Sequence, residues 1–128
     1  MNPKNQQKRE IKFSSPKNNR LLVVNSEAAM SVASKLESDS NVVSYQPNWP
    51  LENDALNRIS HVDIRASYFQ KVWTTDYRLI LRGGVPAVRE LVTLNNLSVR
   101  AYLERLELSR RYWELLGVTN WKIIVVEE

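Results

Sequence analysis

The sequence contains no cysteine and only one histidine, His61. The lack of cysteine excludes disulfide bonds, a thiol nucleophile and every zinc site that needs cysteine ligands. A single histidine excludes a metal site built from several imidazoles, and it leaves a serine nucleophile with only one candidate imidazole base. Any metal chemistry in this chain must therefore rely on carboxylates.

Long hydrophobic runs are also missing. The longest apolar stretches, residues 21–24 and 123–126, are far shorter than the roughly 18–20 residues that a membrane-spanning helix needs. No apolar signal core follows Met1 either. We therefore expect a cytoplasmic protein with no membrane partner.

The composition is that of an ordinary globular domain. The chain has 128 residues, of which 43% are hydrophobic and 25% are charged, so it is expected to bury one compact core. The formal net charge is +4 at pH 7, which favours anionic partners and, among these, nucleic acid.

Positive charge is concentrated in the first twenty residues. This stretch has Glu10 as its one acid and is otherwise polar, so it cannot bury enough apolar surface to fold alone. We expect a flexible basic arm at residues 1–20, followed by a single domain at residues 21–128. The arm would contact DNA phosphates or, alternatively, act only as a solubilising tail. Its basic residues are Lys4, Lys8, Arg9, Lys12, Lys17 and Arg20.

The first half of the domain predicts a helix and a strand. Asn25 and Ser26 are candidate caps for a helix with Glu27 in its first turn, where an acid commonly answers the positive helix terminus. A strand is expected at residues 42–45, ended by the proline-containing segment 46–50. Residues 51–72 have no clean period and predict a loop, with a short helical turn near residues 55–59.

The second half predicts a hairpin, a helix and a strand. Two β-rich runs within residues 72–94 flank Gly83 and Gly84, which is typical of a hairpin. A helix is expected over residues 99–116, capped by Ser98, and a buried strand over residues 121–126. The resulting fold class is α/β, a sheet covered by helices. The apolar face of the long helix is predicted to contain Val99, Tyr102, Leu103, Leu106, Trp113 and Leu116.

This order of elements, with an acid opening the first strand of the hairpin, resembles the restriction-endonuclease fold of the PD-(D/E)xK signature, a mixed sheet flanked by helices. More narrowly, the chain is similar to the TnsA-type endonuclease subunit of heteromeric transposases. Three segments carry the likeness: Ser26-Glu27 ahead of the strand at 42–46, Thr74-Thr-Asp-Tyr77, and residues 103–113 ahead of 121–124.

The resemblance implies a role in the transposition of a mobile element. The expected partners are transposon-end DNA, a transposase or another mobile-element protein. It also implies a catalytic site made of a helix glutamate, a strand aspartate and a lysine on the next strand. The two acids fall on Glu27 and Asp76, which would hold Mg²⁺ if the site is active.

The lysine is the part that this sequence lacks. The lysine position falls on Thr93, and a shift of one residue would instead make Glu90 the ligand and place Val92 at the lysine position. Strand alternation predicts that Glu90 faces away from the partners of Asp76 unless a bulge intervenes. Because such a group contributes about 10²–10⁴-fold in rate, we expect weakened or lost nuclease chemistry.

Two alternatives stay open at this stage. The first is an active Mg²⁺-dependent DNA endonuclease in which Arg89, Lys35 or Arg100 replaces the missing lysine. The second is an accessory or inhibitory module that binds protein through exposed aromatic residues. The candidate aromatic residues are Trp49, Tyr68, Phe69 and Trp73.

Overall fold

The computed structural model describes residues 9–127. It begins with an antiparallel hairpin of β1 (Ile11–Ser15) and β2 (Arg20–Val24). Residues 11–20 of the predicted basic arm therefore belong to the folded domain, whereas residues 1–8 lie outside the described residues. Apolar Ile11 and Phe13 pack against the core, and this burial holds the segment to the domain.

The central element is a four-stranded mixed sheet in the order β3-β4-β5-β6. Its strands are β3 (Val42–Pro50), β4 (Thr74–Leu81), β5 (Val85–Thr93) and β6 (Trp121–Val126). The β3–β4 and β4–β5 pairs are antiparallel, whereas β6 lies parallel to β5. The predicted hairpin is confirmed, and Gly83 and Gly84 have the positive φ angles that its turn requires.

Both ends of the sheet differ from the prediction. Strand β3 continues through Pro47 and Pro50, where the sequence predicts its end. It can do so because it is an edge strand of this sheet, so a proline that cannot donate to the ladder is tolerated. At the other edge, β6 is not a buried strand, since Ile123 and Val125 are 40% and 52% exposed.

Helices cover both faces of the sheet. Helix α1 (Glu27–Ser38) is capped by Ser26, whose hydroxyl accepts the Ala29 N–H at 3.0 Å. It packs against Ala87 of β5 in one core cluster, whereas α3 (Arg100–Leu115) packs against Val88 in a second cluster. Neighbouring strand residues point to opposite faces, so α1 and α3 lie on opposite sides of the sheet.

The segment between β3 and β4 is more ordered than a loop. It contains α2 (Asn53–Arg58) and a 3-10 helix (Ala66–Gln70), which confirms the short helical turn and corrects the rest of the predicted loop. Further 3-10 turns at Arg82–Gly84 and Leu94–Ser98 connect later elements. No helix in the described part of the chain is long and apolar enough to cross a membrane.

The core face of helix α3 matches the prediction only in part: Leu106 and Trp113 are buried, but the other predicted residues are not. Tyr102 and Leu103 are 41% and 45% exposed, and Val99 and Leu116 are also exposed. Ser98 lies in a preceding 3-10 turn and does not cap the helix. The buried residues of the helix are Glu104, Leu106, Leu108, Ser109, Tyr112 and Trp113.

Candidate functional site

The site lies where β4 and β5 separate. Their backbone pairing ends at Tyr77 and Arg89, one position before Asp76 and Glu90 face each other. Beyond this point, hydrogen bonds from backbone N–H groups to the two carboxylates replace the backbone hydrogen bonds between the strands. Glu90 Oε1 accepts the Asp76 N–H at 3.0 Å, and Asp76 Oδ2 accepts the Leu91 N–H at 2.7 Å. Glu90 contacts Asp76 itself, but it also contacts Ser109 of α3, on the side of the sheet opposite α1, so it does face away from Glu27, the predicted partner of Asp76.

Arg105 of α3 contacts both carboxylates. Its Nη2 atom lies 3.4 Å from Asp76 Oδ2 and 3.3 Å from Glu90 Oε1. Glu90 is fully buried, and the Arg105 side chain is only 19% exposed. Asp76, Glu90 and Arg105, hereafter the acid–arginine cluster, thus form a charged group with one guanidinium shared by two acids.

The second oxygen of Glu90 is held by hydroxyl groups. Glu90 Oε2 accepts hydrogen bonds from Thr75 and from Ser109, the latter at 2.5 Å. Trp113 Nε1 donates to the Thr75 hydroxyl at 3.2 Å, and Trp121 Nε1 donates to the Ser109 hydroxyl at 3.0 Å. Because the indoles occupy acceptor sites on both hydroxyls, the hydroxyl protons are directed at Glu90.

The ionisation of the cluster reflects its burial. Desolvation of Glu90, together with the neighbouring charge of Asp76, raises the pKa of Glu90 to about 7. Hydrogen bonds from Ser109 and Thr75 and the charge of Arg105 oppose this rise. For Arg105, burial acts to lower the pKa, but the two carboxylates outweigh it and raise the pKa of the guanidinium.

The predicted helix ligand, Glu27, is directed elsewhere. Its carboxylate pairs with Arg9 at 3.0 Å and lines a groove of about 580 Å³ between α1 and β6. Asp76 instead lines a separate cavity of about 100 Å³, together with the helix cap Ser26 and with Asn48. The structure does not bring the two predicted metal ligands into one cavity.

Thr93, at the predicted lysine position, is also separate from the acids. Side chains alternate between the two faces along β5, and Thr93 is three residues after Glu90. Thr93 therefore points toward the α1 face of the sheet, whereas Glu90 points toward α3. The Thr93 hydroxyl is buried and has no hydrogen-bond partner in the described part of the chain.

None of the three proposed replacements for the lysine contacts the acid–arginine cluster. Arg89 donates to the carbonyl and side-chain oxygens of Asn120, and Arg100 pairs with Glu104 at 2.8 Å. Lys35 lines the groove that also contains Glu27. The cation found at the two acids is Arg105, which the sequence analysis does not identify.

The donor set does not fit the Mg²⁺ ion that the resemblance implies. Among residues 9–127, no group of three or more acidic, histidine or cysteine side chains is placed to hold a metal. Both oxygens of Glu90 accept hydrogen bonds, and Asp76 Oδ2 accepts two. A Mg²⁺ ion that bridged Asp76 Oδ2 and Glu90 Oε1 would have to displace the Arg105 guanidinium, and it would still lack Glu27 as a ligand.

The other predicted site residues have mixed positions. Lys4 and Lys8 lie outside the described residues, Lys12 and Arg20 are exposed, and Lys17 Nζ donates to the carbonyls of Asp39 and Val42. The aromatic residues proposed for a protein-binding patch instead pack in or against the second core cluster. They are Trp49, Tyr68, Phe69 and Trp73.

One signal in the sequence could have revealed Arg105. On a helix, Arg105, Leu108, Ser109 and Tyr112 share one face, at spacings of three and four. Because this stripe mixes apolar residues with an arginine and a serine, the sequence favours the more apolar stripe through Leu103 as the core face. The polar members of the mixed stripe are the ones that bind Glu90.

The sequence matches neither a family model nor a curated protein. Its function must therefore be inferred from the residues and their geometry.

Proposed function

We propose that this chain is a DNA-binding domain on a restriction-endonuclease-like scaffold, similar to TnsA-type subunits, and that it does not cleave DNA. It would act in transposition by holding transposon-end DNA, a transposase partner or both. The observation that carries the proposal is the contact of one guanidinium, Arg105, with both Asp76 and Glu90.

The position of the two acids supports the nuclease-like part of the proposal. They face each other at the open end of a β-hairpin, in a mixed sheet with helices on both faces. Two acids side by side repel each other, and burial of Glu90 increases that cost. Such an arrangement contributes little to folding by itself and is typical of a site kept for, or inherited from, chemistry.

Arg105 supports the non-cleaving part. A nuclease of this kind needs a divalent ion to stabilise charge on the attacked phosphate and a base to activate water. Arginine supplies positive charge but remains protonated, so it cannot act as the base. With the guanidinium between the carboxylates, part of the negative charge that would recruit a metal ion is already balanced inside the protein.

A nicking assay tests this proposal. Supercoiled plasmid is incubated with Mg²⁺ or Mn²⁺ and the wild-type chain, Asp76→Asn or Thr93→Lys, while binding to a labelled DNA duplex is measured by fluorescence anisotropy. We expect duplex binding without metal-dependent nicking. Thr93→Lys should also stay inactive, because its ammonium would start from the opposite face of β5 from Glu90.

Two results would overturn the proposal. Nicking by the wild type that disappears in Asp76→Asn would identify an active endonuclease. Absence of duplex binding by the folded wild type would remove the DNA-binding function, and the accessory protein-binding reading would then replace it.

A further inference from the structure

A second surface of the molecule carries two arginines that pair with no acid among residues 9–127. It is a groove of about 290 Å³ on the face of β3 and β4 that is shared with α3, next to the β1–β2 turn. No acidic residue within the described range 9–127 lines it. We call it the basic groove and define it by Lys17, Arg20, Gln46, Trp49 and Arg78.

The two arginines of this groove differ from most others in the chain. Arg65, Arg105 and Arg111 each pair with a carboxylate. By contrast, neither Arg20 nor Arg78 forms an ion pair within residues 9–127. Their charge is therefore free to act on an external anion.

Neutral groups position both guanidiniums. Arg78 lies over the ring of Trp49, with its Cζ atom 4.5 Å from the ring centroid. Arg20 Nη1 lies 3.4 Å from Gln46 Oε1, and Gln46 is the β3 partner of Arg78. Gln46 thus stands between the two arginines. A cation held by an aromatic ring or an amide keeps its charge and its outward hydrogen-bond donors.

We propose that the basic groove binds the phosphate backbone of duplex DNA through Arg20 and Arg78. The proposal rests on the proposed DNA-binding function and assigns it a surface distinct from the acid–arginine cluster. Planar guanidinium groups match phosphate oxygens in pairs, which makes arginine suited to this contact. The face of Trp49 is covered by Arg78, so the ring is not offered as a stacking platform for unpaired bases. This favours duplex over single-stranded DNA.

The most informative variant is Gln46→Glu. It has nearly the same shape, but it places a carboxylate between the two guanidiniums and neutralises the groove from inside. We expect it to weaken duplex binding about tenfold or more while the thermal stability is unchanged or higher, because the new acid pairs with Arg20. Loss of binding would then not be a consequence of unfolding.

The salt dependence of binding gives an independent readout. The double variant Arg20→Gln/Arg78→Gln is compared with the charge-matched control Arg58→Gln/Arg82→Gln, whose arginines are exposed and lie outside the groove. Each phosphate contact contributes about 0.9 to the slope of log K against log salt concentration, so the groove variant should lose nearly 2 from the slope. The control should keep the slope of the wild type. Arg78→Lys should also keep the slope but lose part of the affinity, because an ammonium cannot pair with two phosphate oxygens as a guanidinium does.

Fluorescence anisotropy with labelled duplex and single-stranded oligonucleotides on the full chain separates the outcomes. Equal effects of the groove and control variants, or an unchanged affinity of Gln46→Glu, would overturn the groove while leaving the DNA-binding function intact. Tighter binding of single strands than of duplex would overturn the assignment to duplex DNA. No binding of either oligonucleotide by the wild type would reject both proposals.

Discussion

Two carboxylates in this molecule hold several hydrogen bonds each, yet their pKa values shift in opposite directions. Glu37 of α1 accepts hydrogen bonds from the Ser15 hydroxyl at 2.8 Å, the Lys17 N–H at 2.8 Å and the Tyr45 hydroxyl at 2.6 Å. Burial acts to raise its pKa, but these donors outweigh it and lower the pKa. For Glu90, burial wins and raises the pKa to about 7.

The difference lies in depth and in the neighbouring charge. Glu37 is half-buried and close to Lys17, whereas Glu90 is fully buried and faces a second acid, Asp76. Glu37 therefore fastens the β1–β2 turn to α1 in its charged form. Ionisation of Glu90 is unfavourable because the carboxylate is buried next to a second acid, and the charge of Arg105 offsets part of this cost. A cluster that destabilises the fold in this way indicates a function other than stability.

Removal of Arg105 should change the free energy of unfolding more than removal of either Glu90 or Glu37. Arg105→Met leaves two facing acids without their shared cation, which is expected to lower the free energy of unfolding by about 3–5 kcal/mol at pH 8. The loss should be smaller at pH 5, where Glu90 is protonated. Urea denaturation at both pH values measures it.

The matched control for this variant is Arg58→Met at the exposed end of α2, which should change stability by less than about 0.5 kcal/mol. Similar losses for the two variants would show that Arg105 has no special role at the acids.

Replacement of Glu90 with glutamine should have the second-largest effect, which is on the pH dependence of the free energy of unfolding. The folded pKa of about 7 lies above the ordinary glutamate value of 4.5, so the folded state binds more protons between these pH values. Stability from this group is complete below pH 4.5 and is lost as the pH rises through 7. Glu90→Gln should remove this decline of about 3 kcal/mol, because a pKa difference of one corresponds to about 1.4 kcal/mol. An unchanged slope between pH 4.5 and 7 would contradict the burial of a charged Glu90.

Replacing Glu37 should have a smaller effect with the opposite sign. Because its folded pKa is lowered, its stabilisation is present above the unfolded pKa and is lost as the pH falls through the folded pKa. Glu37→Gln should lower stability by about 1.5 kcal/mol at pH 7 and less at pH 3. Thermal unfolding at the two pH values measures this, and a loss that grows on acidification would mean that Glu37 does not act as a carboxylate.

The sequence predicts local structure well where periodicity and turn chemistry are strong. Gly83 and Gly84 correctly indicate the hairpin, and Ser26 correctly indicates the start of α1. The failures involve tertiary context. Pro47 is accepted in β3 because that strand is an edge of the sheet. The buried face of α3 also contains Ser109, whose hydrogen bond to Glu90 cannot be recognised from an apolar pattern.

The candidate site is predicted in part. Asp76 opens β4 and lies at the separated end of the hairpin, as the pattern of acids indicates. The side-chain direction of Glu27 and the approach of Arg105 depend on how helices dock on the sheet. These are long-range contacts, and the sequence positions alone do not specify them.

Isothermal titration calorimetry with Mn²⁺ tests the central claim most directly. If Arg105 already fills the space between Asp76 and Glu90, a Mn²⁺ ion cannot bind there. We therefore expect no heat of specific Mn²⁺ binding for the wild-type chain and the same result for Asp76→Asn. Stoichiometric binding by the wild type that is lost in Asp76→Asn would contradict the account, because it would show that a metal ion displaces the arginine.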